Sequence, residues 1–224
     1  MFGAATGSPL ARQLAHVNAF GPTQMCRVMT QFGSDKGQGW HNYTTVYSAL
    51  LGNLRNRPLR IFEIGLGTNN TDLISNMGVH GRPGASLRGW RELFPQAAVY
   101  GADIDRDVLF EEESIKTFYC DQLSQDAIRS MWSQPDLRDA MDVIIDDGRH
   151  TFEANTSFLE GSLQRLKPGG FYFVEDIATA SLPRWRNCLP TYSQKYPTYE
   201  FALVELPNDA NDGDNNMLVI RSRE

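Results

Sequence analysis

Acidic side chains and a histidine gather in two short stretches of this sequence, DDGRH at Asp146 to His150 and VEDI at Val174 to Ile177. Each closes an apolar run of the kind that forms a buried strand. Asp146, Asp147, Glu175 and Asp176, brought together at neighbouring strand ends, repel one another unless protonated or bound to a cation. A hard, oxygen-rich set with few protein ligands suits Mg²⁺, which keeps coordination positions for water and substrate. His150 stands three residues after Asp147. Its imidazole titrates near neutrality and can take a proton from a hydroxyl that the cation has made more acidic. The plainer alternative is that Asp146 caps a helix and the other acids are solvated.

A second group of residues suits a nucleoside. EIGLG, Glu63 to Gly67, places two glycines after a strand, where backbone can approach a ligand closely. Asp103, in GADID, ends another strand and can accept both hydroxyl hydrogens of a ribose, with Asp105 a rival for that role. Asp121 and Gln122 follow a third strand, within reach of an adenine edge or simply in a loop. Ser86, in PGASLRGW, starts a helix. There it is either an ordinary N-cap or, with free backbone N–H groups, a binder of a carboxylate.

These residues need a scaffold that collects strand ends. LRIFEIG, AVYGADI, IKTFYCD, DVIIDDG and GGFYFVED read as five strands, alternating with the helical patterns SLRGWRELF, SQDAIRSMW and FEANTSFLEGSLQRL. LKPGG reads as a helix stop and tight turn before the fifth strand. YEFALVELP and NNMLVIRS, joined by the polar NDANDGD, read as a closing antiparallel hairpin. The pattern predicts a mostly parallel α/β sheet with ligands outside the carboxyl ends of its strands. Two irregular stretches interrupt it, GSDKGQGW from Gly33 to Trp40 and the run from Leu66 to Pro83, the latter a substrate lid or an oligomer contact.

Composition narrows the class. The 224 residues are 41% hydrophobic and 21% charged, values that fit one globular domain. A net charge of -6 argues against a nucleic-acid partner, which requires basic surface. Three widely spaced cysteines, Cys26, Cys120 and Cys188, form no metal or disulfide pattern. No run approaches the ~20 apolar residues of a membrane span. The first residues, MFGAATGSPLARQL, lack the form of a secretory signal. The expected location is the cytoplasm.

With these motifs in place, the chain resembles the class I S-adenosylmethionine-dependent methyltransferases. Among them it is similar to the metal-dependent sugar O-methyltransferases of macrolide biosynthesis, of the mycinamicin type, and to their cephalosporin-cluster relatives. FGSDKG with His41 and Tyr43, FEIGLG, GASLRGWRELFP, YGADID, DQ, IIDDGRH and VEDI carry the resemblance, from about Phe32 to Ile177. It implies a Rossmann-like core at 58–224 behind an N-terminal helical extension and lid at 1–57, in one domain.

The cofactor would touch Glu63, Gly65, Gly67, Ser86, Asp103, Asp121, Gln122 and Asp146. Asp147, Glu175 and Asp176 would bind the metal, and His150 would be the base. Lys36, His41 and Tyr43 would form part of the lid, with Lys36 and Tyr43 near the cofactor. The expected acceptor is a hydroxyl of a sugar or glycosylated small molecule, and self-association is common in the group. Arg149 departs from the small residue common at its position. Two other readings share these features, an NAD(P)-dependent oxidoreductase and a non-catalytic cofactor-binding member of the fold. EIGLGTNN lacks the third glycine that a dinucleotide fingerprint requires.

Overall fold

The computed structural model describes residues 9–14, 17, 21–37 and 39–223. Residues 1–8 of the expected N-terminal extension lie outside the described residues. The chain enters through three short helices, α1 (Pro9–Leu14), α2 (Gln24–Phe32) and α3 (Tyr43–Leu51). The alternating core follows: β1 (Arg60–Ile64), α4 (Ala85–Leu93), β2 (Ala98–Asp103), β3 (Glu111–Glu112), β4 (Ile115–Tyr119), α5 (Gln125–Trp132) and β5 (Met141–Asp146). It ends with α6 (Phe152–Ser162), β6 (Leu166–Val174), α7 (Leu182–Lys195), β7 (Tyr199–Glu205) and β8 (Asn216–Ser222).

The strands form one eight-stranded sheet in the order β3-β4-β2-β1-β5-β6-β8-β7. β4, β2, β1, β5 and β6 run parallel. β8 inserts antiparallel beside β6 and pairs with β7, so the expected closing hairpin is present. Strand order reverses on either side of β1, which opens a crevice between the ends of β1 and β5. Side chains alternate across the sheet with the period of two that a pleated strand imposes. Ile61, Val143, Ile145 and Phe173 join the cluster under α1 to α4. Phe62, Ile144, Tyr172 and Val174 join the cluster under α5, α6 and α7. Both faces are therefore covered, as a parallel sheet requires.

The structure differs from the sequence reading in three places. LKPGG is not a turn before the fifth strand. Leu166 already pairs with Met141, and the register irregularity before Phe171 takes in Gly169 and Gly170 within the strand. Glu111 and Glu112 add a short antiparallel edge strand against β4. Helix α7 carries Pro190 in its interior, which masks the pattern because proline removes a helical hydrogen bond. Its apolar face persists nonetheless: Leu182 and Trp185 are buried, with Leu189, Tyr192 and Tyr196 packed against the same cluster. Among the described residues, no helix is long and apolar enough to cross a membrane.

Candidate active site

Parallel strands end side by side, so residues far apart in sequence meet at one edge of the sheet. Asp146 closes β5, and Glu175 donates its backbone N–H to the Asp146 carbonyl. Asp147 likewise donates its N–H to Ile64 at the end of β1. These bonds bring EIGLG, DDGRH and VEDI together. Gly65 sits at φ 93°, and a Cβ there would collide with the Asp147 carbonyl oxygen, so this glycine permits the close approach of the two strand ends.

Helix α3 then fixes the acids of VEDI. Tyr43 and Tyr47 stand four residues apart and share a helix face. The Tyr43 hydroxyl lies 2.9 Å from Asp176 Oδ1, and the Tyr47 hydroxyl donates to Glu175 Oε1 at 2.6 Å. Helix α4 fixes Glu63 in the same manner. Ser86 Oγ donates to Glu63 Oε1 at 2.5 Å, and Trp90 Nε1, four residues on, donates to Oε2 at 2.6 Å. Ser86 is therefore not an N-cap; Gly84 occupies that position.

Lys36, His41 and Tyr43, the residues expected in a lid, are 2%, 4% and 1% exposed and pack against the acids. The Lys36 ammonium lies 2.5 Å from Asp147 Oδ2, contacts Glu175 Oε2, and stands 3.5 Å from Glu63 Oε1. Burial opposes its charge, but Asp147, Glu175 and Glu63 together hold its pKa well above the ordinary lysine value. Burial pushes Glu175 and Asp176 well above the usual carboxylate range. Asp147 resists burial because Lys36 and His150 hold its pKa low.

His150 Nε2 lies 3.2 Å from both Asp147 Oδ1 and Asp176 Oδ2. Both His150 and Asp176 adopt left-handed backbone, φ 58° and 51°, a conformation that costs side-chain-bearing residues of order 1–3 kcal/mol. The ligand atoms of Asp147, His150 and Asp176 all lie within 4.8 Å of one another. Glu175, expected in the metal set, stands apart from this trio, because Lys36 and Tyr47 occupy its two oxygens.

Burial alone would lower the His150 pKa, but Asp176 and Asp147 push it up to about 10. The imidazole is thus charged at neutral pH in this arrangement, which differs from the neutral base that the sequence suggests. The consequence for stability has a definite sign. The charged form is favoured by the fold, so its contribution is complete below the unfolded pKa of about 6.5. It disappears as pH rises through about 10. Chemical denaturation without added metal should show wild type more stable than His150→Gln at pH 6.5, with the difference shrinking by pH 10. A constant difference across that range contradicts the ion-pair account.

Beside these acids lies a cavity of about 350 Å³, large enough for a nucleoside-sized ligand. Gly65, Gly67, Ser86, Asp103, Asp121 and Gln122 line it together with Asp147, His150 and Asp176. Asp103 accepts the N–H groups of Leu66 and Asp105 at 2.7 and 2.8 Å, one on each oxygen, which orients its carboxylate into the cavity mouth. Asp105 is instead engaged by Thr68 and by the Asp107 N–H, so Asp103 is the carboxylate that the cavity presents.

Two of the residues expected at the cofactor also shape the DDGRH loop. Gln122 donates to Asp146 Oδ1 at 2.6 Å and accepts the Arg149 N–H at 2.8 Å, which ties up its amide in shaping the DDGRH loop. Asp146 is fully buried beneath the cavity, and burial raises its pKa to about 6. Gly67 serves the irregular stretch, since a Cβ there would strike Met77. That stretch folds over the cavity: Leu73 to Met77 line it, and Ser75 Oγ donates to the Arg149 carbonyl at 2.9 Å.

Sequence reasoning missed Tyr47, Trp90 and Ser75. The i, i+4 pairs Tyr43/Tyr47 and Ser86/Trp90 are a readable signal for the first two, since each pair presents two donors on one helix face. Nothing local marks Ser75.

No family model matches the chain. It is 31% identical over 163 residues to 8-demethyl-8-(2-methoxy-alpha-L-rhamnosyl)-tetracenomycin-C 3'-O-methyltransferase from Streptomyces olivaceus, covering 72% of this chain and 39% of that protein. It is 33% identical over 158 residues to 8-demethyl-8-alpha-L-rhamnosyl tetracenomycin-C 2'-O-methyltransferase from the same organism, covering 69% and 38%. The chain thus spans less than half the length of these relatives. Among solved structures it is similar to the MycE methyltransferase of the mycinamycin biosynthetic pathway, solved with Mg and SAH, with a TM-score of 0.68 and 21% identity. That match covers 90% of this chain and 55% of the other. The chain therefore has the Rossmann-like fold of the class I methyltransferases and is a sequence relative of the sugar O-methyltransferases.

Proposed function

We propose that the chain transfers a methyl group from S-adenosylmethionine to a hydroxyl of a sugar or glycosylated small molecule, with a divalent cation, Mg²⁺, at the acidic cluster. The observation that carries this reading is the position of Asp147, His150 and Asp176 on the wall of the same cavity that Asp103 and the β1 glycines line. The names of the relatives and of the structural neighbour agree with it. The donor chemistry also fits, because clustered carboxylate oxygens are the ligands a hard cation takes.

When bound, the sulfonium supplies an electrophilic methyl carbon and the cation supplies positive charge that acidifies a neighbouring hydroxyl. The residues of this chain do the rest. Asp103 holds the ribose hydroxyls, and Asp121 stands at the adenine end. Asp147 and Asp176 would hold the cation, with Glu175 joining them once Lys36 leaves its Oε2. Once positive charge from another source offsets the two carboxylates, His150 no longer needs its own, and its pKa falls back toward about 6.5. Nε2 then accepts the proton of the acceptor hydroxyl as the oxygen bonds to the methyl carbon and the sulfur–carbon bond breaks. Residues 73–77, which line the cavity, would shield this step from water.

The test is methyl transfer from isotopically labelled S-adenosylmethionine to rhamnosides and other glycosides with free hydroxyls. Label should enter an ether linkage in the presence of Mg²⁺ and not in excess EDTA. Undiminished transfer in EDTA rules out the metal, and label found on nitrogen rules out the hydroxyl acceptor.

A further inference from the structure

Lys36 lies among the acids that the preceding reading assigns to the cation. Its ammonium touches Asp147 Oδ2 and Glu175 Oε2, and its side chain is 2% exposed. Glu175 is fully buried, and its second oxygen accepts from Tyr47. Each oxygen of Glu175 therefore already holds one partner while the ammonium stays where it is. A divalent ion needs ligand oxygens at about 2.0–2.1 Å, closer than an ammonium on the same oxygen leaves room for. Two cations sharing these buried carboxylates also repel strongly, because little water screens them.

A second seat for the ammonium is already built. Glu63 Oε1 stands 3.5 Å from Nζ, and Ser86 and Trp90 hold that carboxylate rigidly in place. Glu63 belongs to β1, whose following glycines line the cofactor cavity, whereas Glu175 follows β6. A small movement of one side chain would thus transfer positive charge from the cation side of the site to the cofactor side.

We propose that Lys36 is an internal competitor of the divalent cation: the metal displaces its ammonium from Glu175, and the ammonium moves onto Glu63. This rests on the metal-dependent reading above. Lys36 is a positioning residue in this account; it sets how tightly the metal binds and touches neither reacting atom. A lysine that merely braces the fold has the opposite signature, since its removal loosens the carboxylates and weakens their grip on a metal.

The experiment is a Mn²⁺ titration of the full chain followed by electron paramagnetic resonance, with circular dichroism as the check on folding. Lys36→Met should bind Mn²⁺ roughly tenfold or more tightly than wild type, because a like charge beside the ion is gone. Lys36→Arg, which keeps the charge, should bind no more tightly than wild type. Mn²⁺ affinity that is unchanged or lower in a folded Lys36→Met overturns the proposal and leaves the metal-dependent reading intact. Failure of wild type and variants alike to bind Mn²⁺ removes both. Should Lys36→Met not fold, a crystal structure of the wild type with Mn²⁺ decides. Nζ beyond about 4 Å from Glu175 and hydrogen-bonded to Glu63 is expected, and Nζ still on Glu175 beside a bound ion refutes the exchange.

Discussion

Replacing His150 by alanine should lower turnover by roughly 10²–10⁴-fold, the range lost with a general base, while cofactor binding measured by calorimetry persists. The reason is positional. Nε2 lies 3.2 Å from oxygens of Asp147 and Asp176, so it stands at the carboxylates themselves, on the cavity wall. Asp103 and the glycines that follow β1, which line the same cavity, are not among its ion-pair partners. His150→Gln refines the test, because an amide can keep a hydrogen bond to Asp147 but cannot carry the proton away. Both variants should therefore lose turnover to a similar degree. Wild-type turnover in either one would exclude His150 as the base and leave the acceptor proton to another group.

Asp147→Asn should have a comparable effect by a different route, a loss of roughly 10²-fold or more in turnover that excess Mg²⁺ does not restore. Asp147 belongs to the trio of clustered ligand groups, and Lys36 and His150 hold its pKa low against burial. Its oxygens also receive Lys36 and His150. Taking that charge away leaves two cations facing fewer counter-charges, and breaking a largely buried pair costs about 3–5 kcal/mol. Stability should therefore fall together with activity, which calls for assay well below the melting temperature. The separating measurement is metal dependence. Wild type should respond to Mg²⁺ and lose activity in chelator, while folded Asp147→Asn should sit at the chelator-treated level and respond to neither. A variant that keeps full Mg²⁺-stimulated activity would show that Asp147 is dispensable to the cation.

The contrast between Asp147 and Asp146 shows what adjacency in sequence conceals. Both are aspartates of one motif at the end of one strand. Asp146 ends β5 facing the side of α5 and α6, is fully buried, and receives Gln122. Asp147, one residue on, faces Lys36 and His150. The reversal of side between successive residues of an extended chain separates a loop-shaping acid from a cluster acid, and the motif alone does not say which is which. Glu175 and Asp176 divide in the same way: Tyr47 and Lys36 take the first, Tyr43 and His150 the second.

The parallel order of the sheet, the hairpin that closes it and the gathering of acids and glycines at one edge were all legible in the sequence. Apolar runs, their period and the residues that end them are local properties, and a parallel sheet converts strand ends into neighbours without further information. Helix α7 was obscured because Pro190 interrupts a pattern that its packed face otherwise keeps. Lys36 belongs to a glycine-rich, irregular stretch, yet it is 2% exposed and lies against three acids in or just after β1, β5 and β6. Only the tertiary structure decided that placement. The energy of a buried charge depends on which opposite charges surround it in space, and those partners come from strands more than a hundred residues away along the chain for Asp147 and Glu175.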